Sequence, residues 1–108
     1  MQTEGVVKEL FSIVEVDLKP QYREVYLEAA RAMIDAHRAD PGLIAQAIHV
    51  SPTDPGHCII TIAWRDAHAL KAHCDSQSLK TFLKETAPFV ARPSIMRTYS
   101  IEKEQTLL

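Results

Sequence analysis

Between residues 6 and 18 both alternating sets of side chains are apolar: Phe11 and Ile13 project to one side, Leu10, Val14 and Val16 to the other. Successive side chains of a strand point to opposite faces, so this segment reads as a strand that must be covered on both. That demand constrains the fold more than any other feature, because each sheet face then needs its own layer and the chain has only 108 residues. A chain of that length buries about two thirds of the surface its unfolded form exposes, which suffices for a layer of helices on a sheet but strains at a large pocket beside it. Shared burial with a partner subunit would relieve the shortage.

The remaining elements follow from periodicity and breakers. Pro20 suits a first helical turn, where its missing N–H would be unpaired anyway. Residues 21–39 carry Tyr22, Val25, Tyr26, Ala29, Met33 and His37 at helical spacing, which predicts an amphipathic helix with that stripe inward. Asp40-Pro41-Gly42 stops it. Residues 43–50 and 57–64 read as two strands joined by the turn Ser51-Pro52-Thr53-Asp54-Pro55-Gly56, and together they form a hairpin. In the second of them Cys58, Ile60, Ile62 and Trp64 share one face, and His57, Ile59, Thr61 and Ala63 the other. Asp66 is placed to cap a short helix over residues 67–74. Ser78 is placed to cap another with Leu79, Phe82, Leu83 and Thr86 on its apolar side, ending near Pro88. Residues 94–101 make a last strand with Ile95, Tyr99 and Ile101 on one face and Met96 and Thr98 on the other.

The predicted fold is therefore α+β, strand, helix, strand, strand, helix, strand, the ferredoxin-like arrangement of an antiparallel sheet with both helices on one face. It forms one domain spanning residues 1–108, with its core at about 6–102. The uncovered face carries too much apolar surface to be left wet, and pairing of two such sheets in a twofold homodimer is the expected solution.

Composition removes several function classes. The formal net charge is -2, and the 12 Lys and Arg are scattered among acids instead of forming a stripe, so no nucleic-acid footprint is present. The longest apolar stretch, near Cys58 to Trp64, is far short of the roughly 20 residues of a spanning helix. The opening MQTEGVVKEL lacks a basic start followed by a long apolar run, so no membrane role and cytoplasmic residence are expected. The two cysteines, Cys58 and Cys74, form no CxxC pair and read as reduced, small buried hydrophobes. His68 and His73 are five apart, about 140° around a helix, so they do not make a two-His metal face, and no metal is expected.

With that architecture in hand, Trp64-Arg65-Asp66-Ala67-His68-Ala69-Leu70-Lys71-Ala72-His73, followed by Ser76, Lys80 and Phe82, resembles the antibiotic biosynthesis monooxygenase family. The pattern is a strand-ending Trp, a capping residue two later, an aliphatic residue six later and a His nine later. Pro41-Gly42 after the first helix also fits. The resemblance implies a dimeric α+β barrel and, in the best understood enzymes, oxygenation of a quinol-like or polycyclic aromatic without metal or flavin. Its relatives also include haem degraders and proteins of no known activity. Such chemistry needs an apolar slot, a base, and a donor aimed at the developing oxyanion.

His73 is the candidate base, since on its short helix it shares a stripe with Ala69 and Leu70 and points toward the cleft. Trp64 is the candidate oxyanion donor through its indole N–H. Both have an ordinary packing role as the alternative, because buried polar groups generally just find a partner and Trp dominates small cores by area. Tyr26, Met33, Leu70, Phe82, Phe89 and Tyr99 are the residues expected to line the substrate slot, again with core packing as the competing role. Arg97 must pair with an acid, a ligand or solvent, and an ion pair between subunits is the expectation. His49 and His57, flanking the hairpin loop, are expected at solvent or at the dimer seam.

Two departures from the family pattern narrow the reaction. Polyketide-quinone-forming members hold substrate with a polar amide four residues before the Trp and a phenol six after it, and Ile60 and Leu70 stand there instead. The haem-degrading branch needs an Asn on the first strand and a His in a long helix; this chain has no Asn, and Leu83 stands about where that His belongs. The resulting expectation is a cofactor-independent monooxygenase acting on a small phenol or quinol. The alternatives are a small-ligand binder or stress-response module on the same fold, or a structural dimer whose slot is filled by Phe82, Leu83 and Phe89.

Overall fold

The computed structural model describes residues 8–107. The start of the predicted first strand, at Val6 and Val7, and most of the amino-terminal stretch lie outside the described residues. The elements are β1 (Leu10–Asp17), α1 (Arg23–His37), β2 (Leu43–Val50), β3 (His57–Trp64), α2 (Ala67–Cys74), α3 (Gln77–Thr86) and β4 (Ile95–Ser100). The sheet order is β2-β3-β1-β4, and every pairing is antiparallel. This is the ferredoxin-like α+β arrangement, with the second helical region divided into α2 and α3.

Register sorts the side chains onto two faces. Ser12 lies opposite Ile62 and Thr98, and Val14 opposite Ile60 and Met96, so the helix-facing side is built from Val14, Val16, Cys58, Ile60, Ile62 and Trp64. The helices close this face, and Tyr26, Leu27, Ala30, Ile34 and Phe82 complete its core. The opposite face carries Phe11, Ile13, Ile59, Tyr99 and Ile95, the last two more than half exposed. No element of the chain covers it among the described residues. Arg97 on this face bonds Glu15 of the same chain at 2.8 Å, which corrects the expectation of an ion pair between subunits: the neighbouring strand already supplies the acid.

The buried arc of α1 also differs from the predicted stripe. Tyr26 and His37 are buried as expected, but Leu27, Ala30 and Ile34 join them, while Tyr22 and Val25 are exposed. At about 100° per residue the buried centre sits roughly 80° from the predicted one. Apolar residues span so wide an arc of this helix that periodicity alone does not select its centre; contact with the sheet does. Tyr22 falls in a separate 3-10 turn at Pro20–Tyr22 and stacks on Phe89, ring centroids 5.3 Å apart.

The short helices are set by local chemistry. Asp66 accepts from Ala69 N at 2.8 Å, as its position predicted. Ser76, not Ser78, caps α3 by accepting from Leu79 N at 3.2 Å, which leaves Ser78 free to reach α1. Gly42 has a φ of 85°, and a Cβ there would sit 2.5 Å from Ala69 Cβ, so a glycine alone permits this turn and the close seating of α2.

Candidate active site

Between the sheet and the helices lies an apolar cavity of about 200 Å³. Val14, Ile60, Ile62 and Met96 form its floor, and Tyr26, Met33, Leu79, Phe82 and Leu83 its roof. The fold places few polar groups on its wall, chiefly Gln46, His73 and Ser94. A wider depression of about 500 Å³ shares Tyr26, Leu83 and Ser94 with it and opens the route from solvent past Arg92 and Pro93. A structural dimer with its slot filled by Phe82, Leu83 and Phe89 was expected to lack such a space; Phe82 and Leu83 border it without filling it.

His73 reaches this wall because only two residues link β3 to α2, which is pinned by the Asp66 cap. It is buried, and its ring packs on aromatic neighbours: Trp64 at 5.0 Å and His37, edge to face, at 4.8 Å. Among the described residues no group hydrogen-bonds to the ring. Burial, and then the nearby His37 imidazole, hold its pKa below the ordinary 6.5, with Asp40 opposing weakly. The ring is thus neutral at pH 7 and has a lone pair to offer. His37 is itself buried; its Nε2 lies 2.9 Å from Ser78 Oγ and its Nδ1 has no partner among the described residues.

Trp64 is fully buried and its indole N–H donates to Ser12 Oγ at 2.9 Å. Ser12 Oγ in turn lies 2.7 Å from Thr98 Oγ1, so the hydroxyl that accepts from the indole also shares a hydrogen bond with Thr98. This corrects the expectation that Trp64 offers a free oxyanion donor: the N–H is engaged inside the sheet layer, and Trp64 does not line the cavity. Tyr26 is better placed for that role. It lines both the cavity and its entrance, its hydroxyl has no hydrogen-bond partner among the described residues, and burial raises its pKa far enough to keep it a protonated donor.

The structure brings His73, Tyr26, Met33 and Phe82 together and separates the rest. Leu70 packs beside Trp64 in the core without reaching the cavity. Phe89 lies against Tyr22 and the other core cluster. Tyr99 projects from the opposite face of the sheet, level with Phe11, and does not share the slot. Gln46 was missed, although a detectable signal existed: it is an amide among the inward positions Leu43, Ile48 and Val50 of β2. Cys74 lines the cavity and is partly buried, whereas Cys58 is buried, which pushes its thiol up to about 11. His49 bonds Thr61 on the uncovered face, and His57 bonds Asp17, which also holds Arg92.

One donor atom from each of His37, Asp40 and His73 lies within 4.8 Å of the others, a grouping that the spacing of His68 and His73 did not disclose. Asp40 is exposed, and His37 bonds Ser78 through Nε2 while its Nδ1 is without a partner among the described residues.

Comparison with known proteins agrees with this geometry. Residues 10–85 match the model of the antibiotic biosynthesis monooxygenase family. A crystal structure of an antibiotic biosynthesis monooxygenase superposes with a TM-score of 0.79 at 21% identity, covering 87% of this chain and 99% of that one. A conserved protein of unknown function from Bacteroides thetaiotaomicron superposes at 0.81 and 19% identity, covering 89% and 100%. An uncharacterized protein of Synechocystis sp. is 24% identical over 92 residues; the match covers 85% of this chain and 63% of the relative.

Proposed function

The chain belongs to the antibiotic biosynthesis monooxygenase family, and from that premise we propose that it oxygenates a small hydroxyarene with O2, without a cofactor, in the cavity beside His73. The observation that carries this reading is a neutral imidazole with no hydrogen-bond partner, on the wall of an apolar cavity of ligand size. A dry cavity of about 150 Å³ takes benzene, so about 200 Å³ suits one or two fused rings and not a larger polycycle.

His73 takes the phenolic proton, and the phenolate passes one electron to O2. Recombination forms a bond from ring carbon to oxygen, and His73 returns the proton to give a hydroperoxide. Loss of the hydrogen on that carbon breaks the O–O bond, leaving a carbonyl and water, so one oxygen atom enters the ring and the other departs with two substrate hydrogens. The Tyr26 hydroxyl donates to the substrate oxygen as charge develops on it. The apolar floor keeps water from the radical pair.

The partner in this reading is a second copy of the chain, joined through the open sheet face that carries Phe11, Ile13, Ile59, Ile95 and Tyr99. Among the described residues no helix is long and apolar enough to cross a membrane.

Oxygen-electrode measurements on metal-free protein, with hydroquinones and dihydroxynaphthalenes, test the reaction. Uptake above buffer that falls at least about a hundredfold in His73→Gln, with the fold unchanged by circular dichroism, is the expected result. No uptake across the panel would turn the reading toward a small-ligand binder, and uptake indifferent to His73 would remove the base.

A further inference from the structure

Two buried imidazoles and a carboxylate meet where α1 ends. Asp40 lies three residues after His37, and its backbone N–H donates to His37 O at 3.0 Å, which sets the carboxylate beside the end of the helix. Gly42 lets Ala69 of α2 approach the following turn, and His73 stands one helical turn after Ala69. One donor atom from each of the three therefore lies within 4.8 Å of the others. His37 and His73 are only 4% and 8% exposed, and their rings meet edge to face without a hydrogen bond between them. Ser78 holds Nε2 of His37, so Nδ1 is left buried with no partner among the described residues, and none of those residues hydrogen-bonds the His73 ring. A buried polar atom normally has a partner, and two such rings beside one carboxylate share the want of one. A histidine that ligates a metal through one ring nitrogen characteristically donates its other N–H to a neighbouring oxygen, which is what Ser78 Oγ offers His37.

We propose that His37, Asp40 and His73 bind a divalent transition-metal ion of the zinc type, which switches His73 off as a base. Two imidazoles and one carboxylate suit Zn2+, Co2+ or Ni2+ and suit Mg2+ or Ca2+ poorly, since those ions take oxygen donors. A recess of about 130 Å³, bordered by Asp40, Trp64, His73 and Ser76, leaves room for water to complete the shell. The exposed Asp40 carboxylate marks the side from which an ion enters and can turn to meet it. His73 lines both this recess and the apolar cavity, so the two spaces share one ring. A neutral imidazole has a single lone pair, and a metal-bound His73 therefore cannot accept a proton from a ligand in the cavity. The metal site stands on its own geometry; its effect on oxygen uptake rests on the proposed role of His73.

Titration of the full chain, stripped with a chelator, with CoCl2 and then ZnCl2 tests the site by visible absorption, tryptophan fluorescence and equilibrium dialysis. One ion per chain is expected, with Co2+ absorption bands that Zn2+ removes and excess Mg2+ does not. Co2+ should quench Trp64, the single tryptophan, which lies 5.0 Å from the His73 ring. Asp40→Ala, at an exposed position that the core does not need, and His37→Gln should each weaken Zn2+ binding at least about tenfold. His68→Gln, exposed on α2, should leave it unchanged. No stoichiometric binding, or binding indifferent to Asp40 and His37, overturns the site and leaves the two rings to be joined by water. Loss of oxygen uptake at the Zn2+ concentration that fills the site supports the switch, and binding without that loss overturns it while the metal site remains. Absence of uptake in the metal-free chain counts against the proposed reaction, whereas the Co2+ and Zn2+ titrations judge the site alone.

Discussion

At the scale of single residues, the buried polar groups divide into those with partners and those without. Trp64, Ser12 and Thr98 form a closed relay, so Trp64→Phe should cost about 1–3 kcal/mol by leaving the buried Ser12 hydroxyl short of its donor. Oxygen uptake by the folded variant should persist, since the indole N–H faces Ser12 and not the cavity; loss of uptake without loss of fold would restore Trp64 to the site. His73 has no such relay, and its pKa lies below the unfolded value. The unfolded chain therefore binds more protons between the folded pKa and about 6.5, and the contribution of the neutral ring is lost as pH falls through that window. Denaturant titrations from neutral pH down to about pH 5 should show stability falling, and His73→Gln should flatten that fall. Imidazole NMR should place the His73 midpoint below 6.5, and His37→Gln should raise it, since the neighbouring imidazole is the second cause of the shift.

At the scale of elements, the position of α2 decides whether His73 meets the cavity. Gly42 lets the chain turn at a positive φ and lets Ala69 approach the turn, and Arg65 N bonds Gly42 O at 2.7 Å, which ties the end of β3 to the same place. Gly42→Ala should destabilise by more than about 1 kcal/mol and should also shift α2, because backbone strain and a 2.5 Å approach to Ala69 coincide there. Calorimetry checks the first effect and oxygen uptake the second; a variant as stable as the native chain would show that the turn relaxes freely. Asp66→Ala offers the milder comparison, with about 1 kcal/mol expected for loss of a cap and no steric push on α2.

At the scale of the whole molecule, the sheet divides the chain into a covered face that encloses the cavity and a face that no element among the described residues covers. Ile59 sits centrally on that second face, opposite Glu15 of β1 and His49 of β2. A carboxylate there would lie beside the Glu15 carboxylate and be desolvated in the seam, so Ile59→Asp should weaken self-association by at least about a hundredfold while the monomer keeps its circular dichroism spectrum. Sedimentation velocity reads this directly, and a native chain that sediments as a monomer at micromolar concentration would remove the homodimer.

The sequence by itself determined the order of the elements, the two faces of β1, β3 and β4, the Asp66 cap and the family, because each is written in residues a few positions apart: period two, period 3.6, a proline, a glycine, a carboxylate before a helix. Gln46 was legible in the same way, as an amide on an apolar face, and was passed over. Tertiary structure alone decided which arc of α1 turned inward, that the Trp64 N–H met Ser12 instead of the cavity, that Ser78 bonded His37 while Ser76 took the cap, and that Tyr99 stood on the opposite side of the sheet from His73. Those outcomes depend on contacts between residues far apart in the chain. Local periodicity fixes which side chains are apolar, and only the packing of one element on another fixes which polar atoms find partners and which are left facing a cavity.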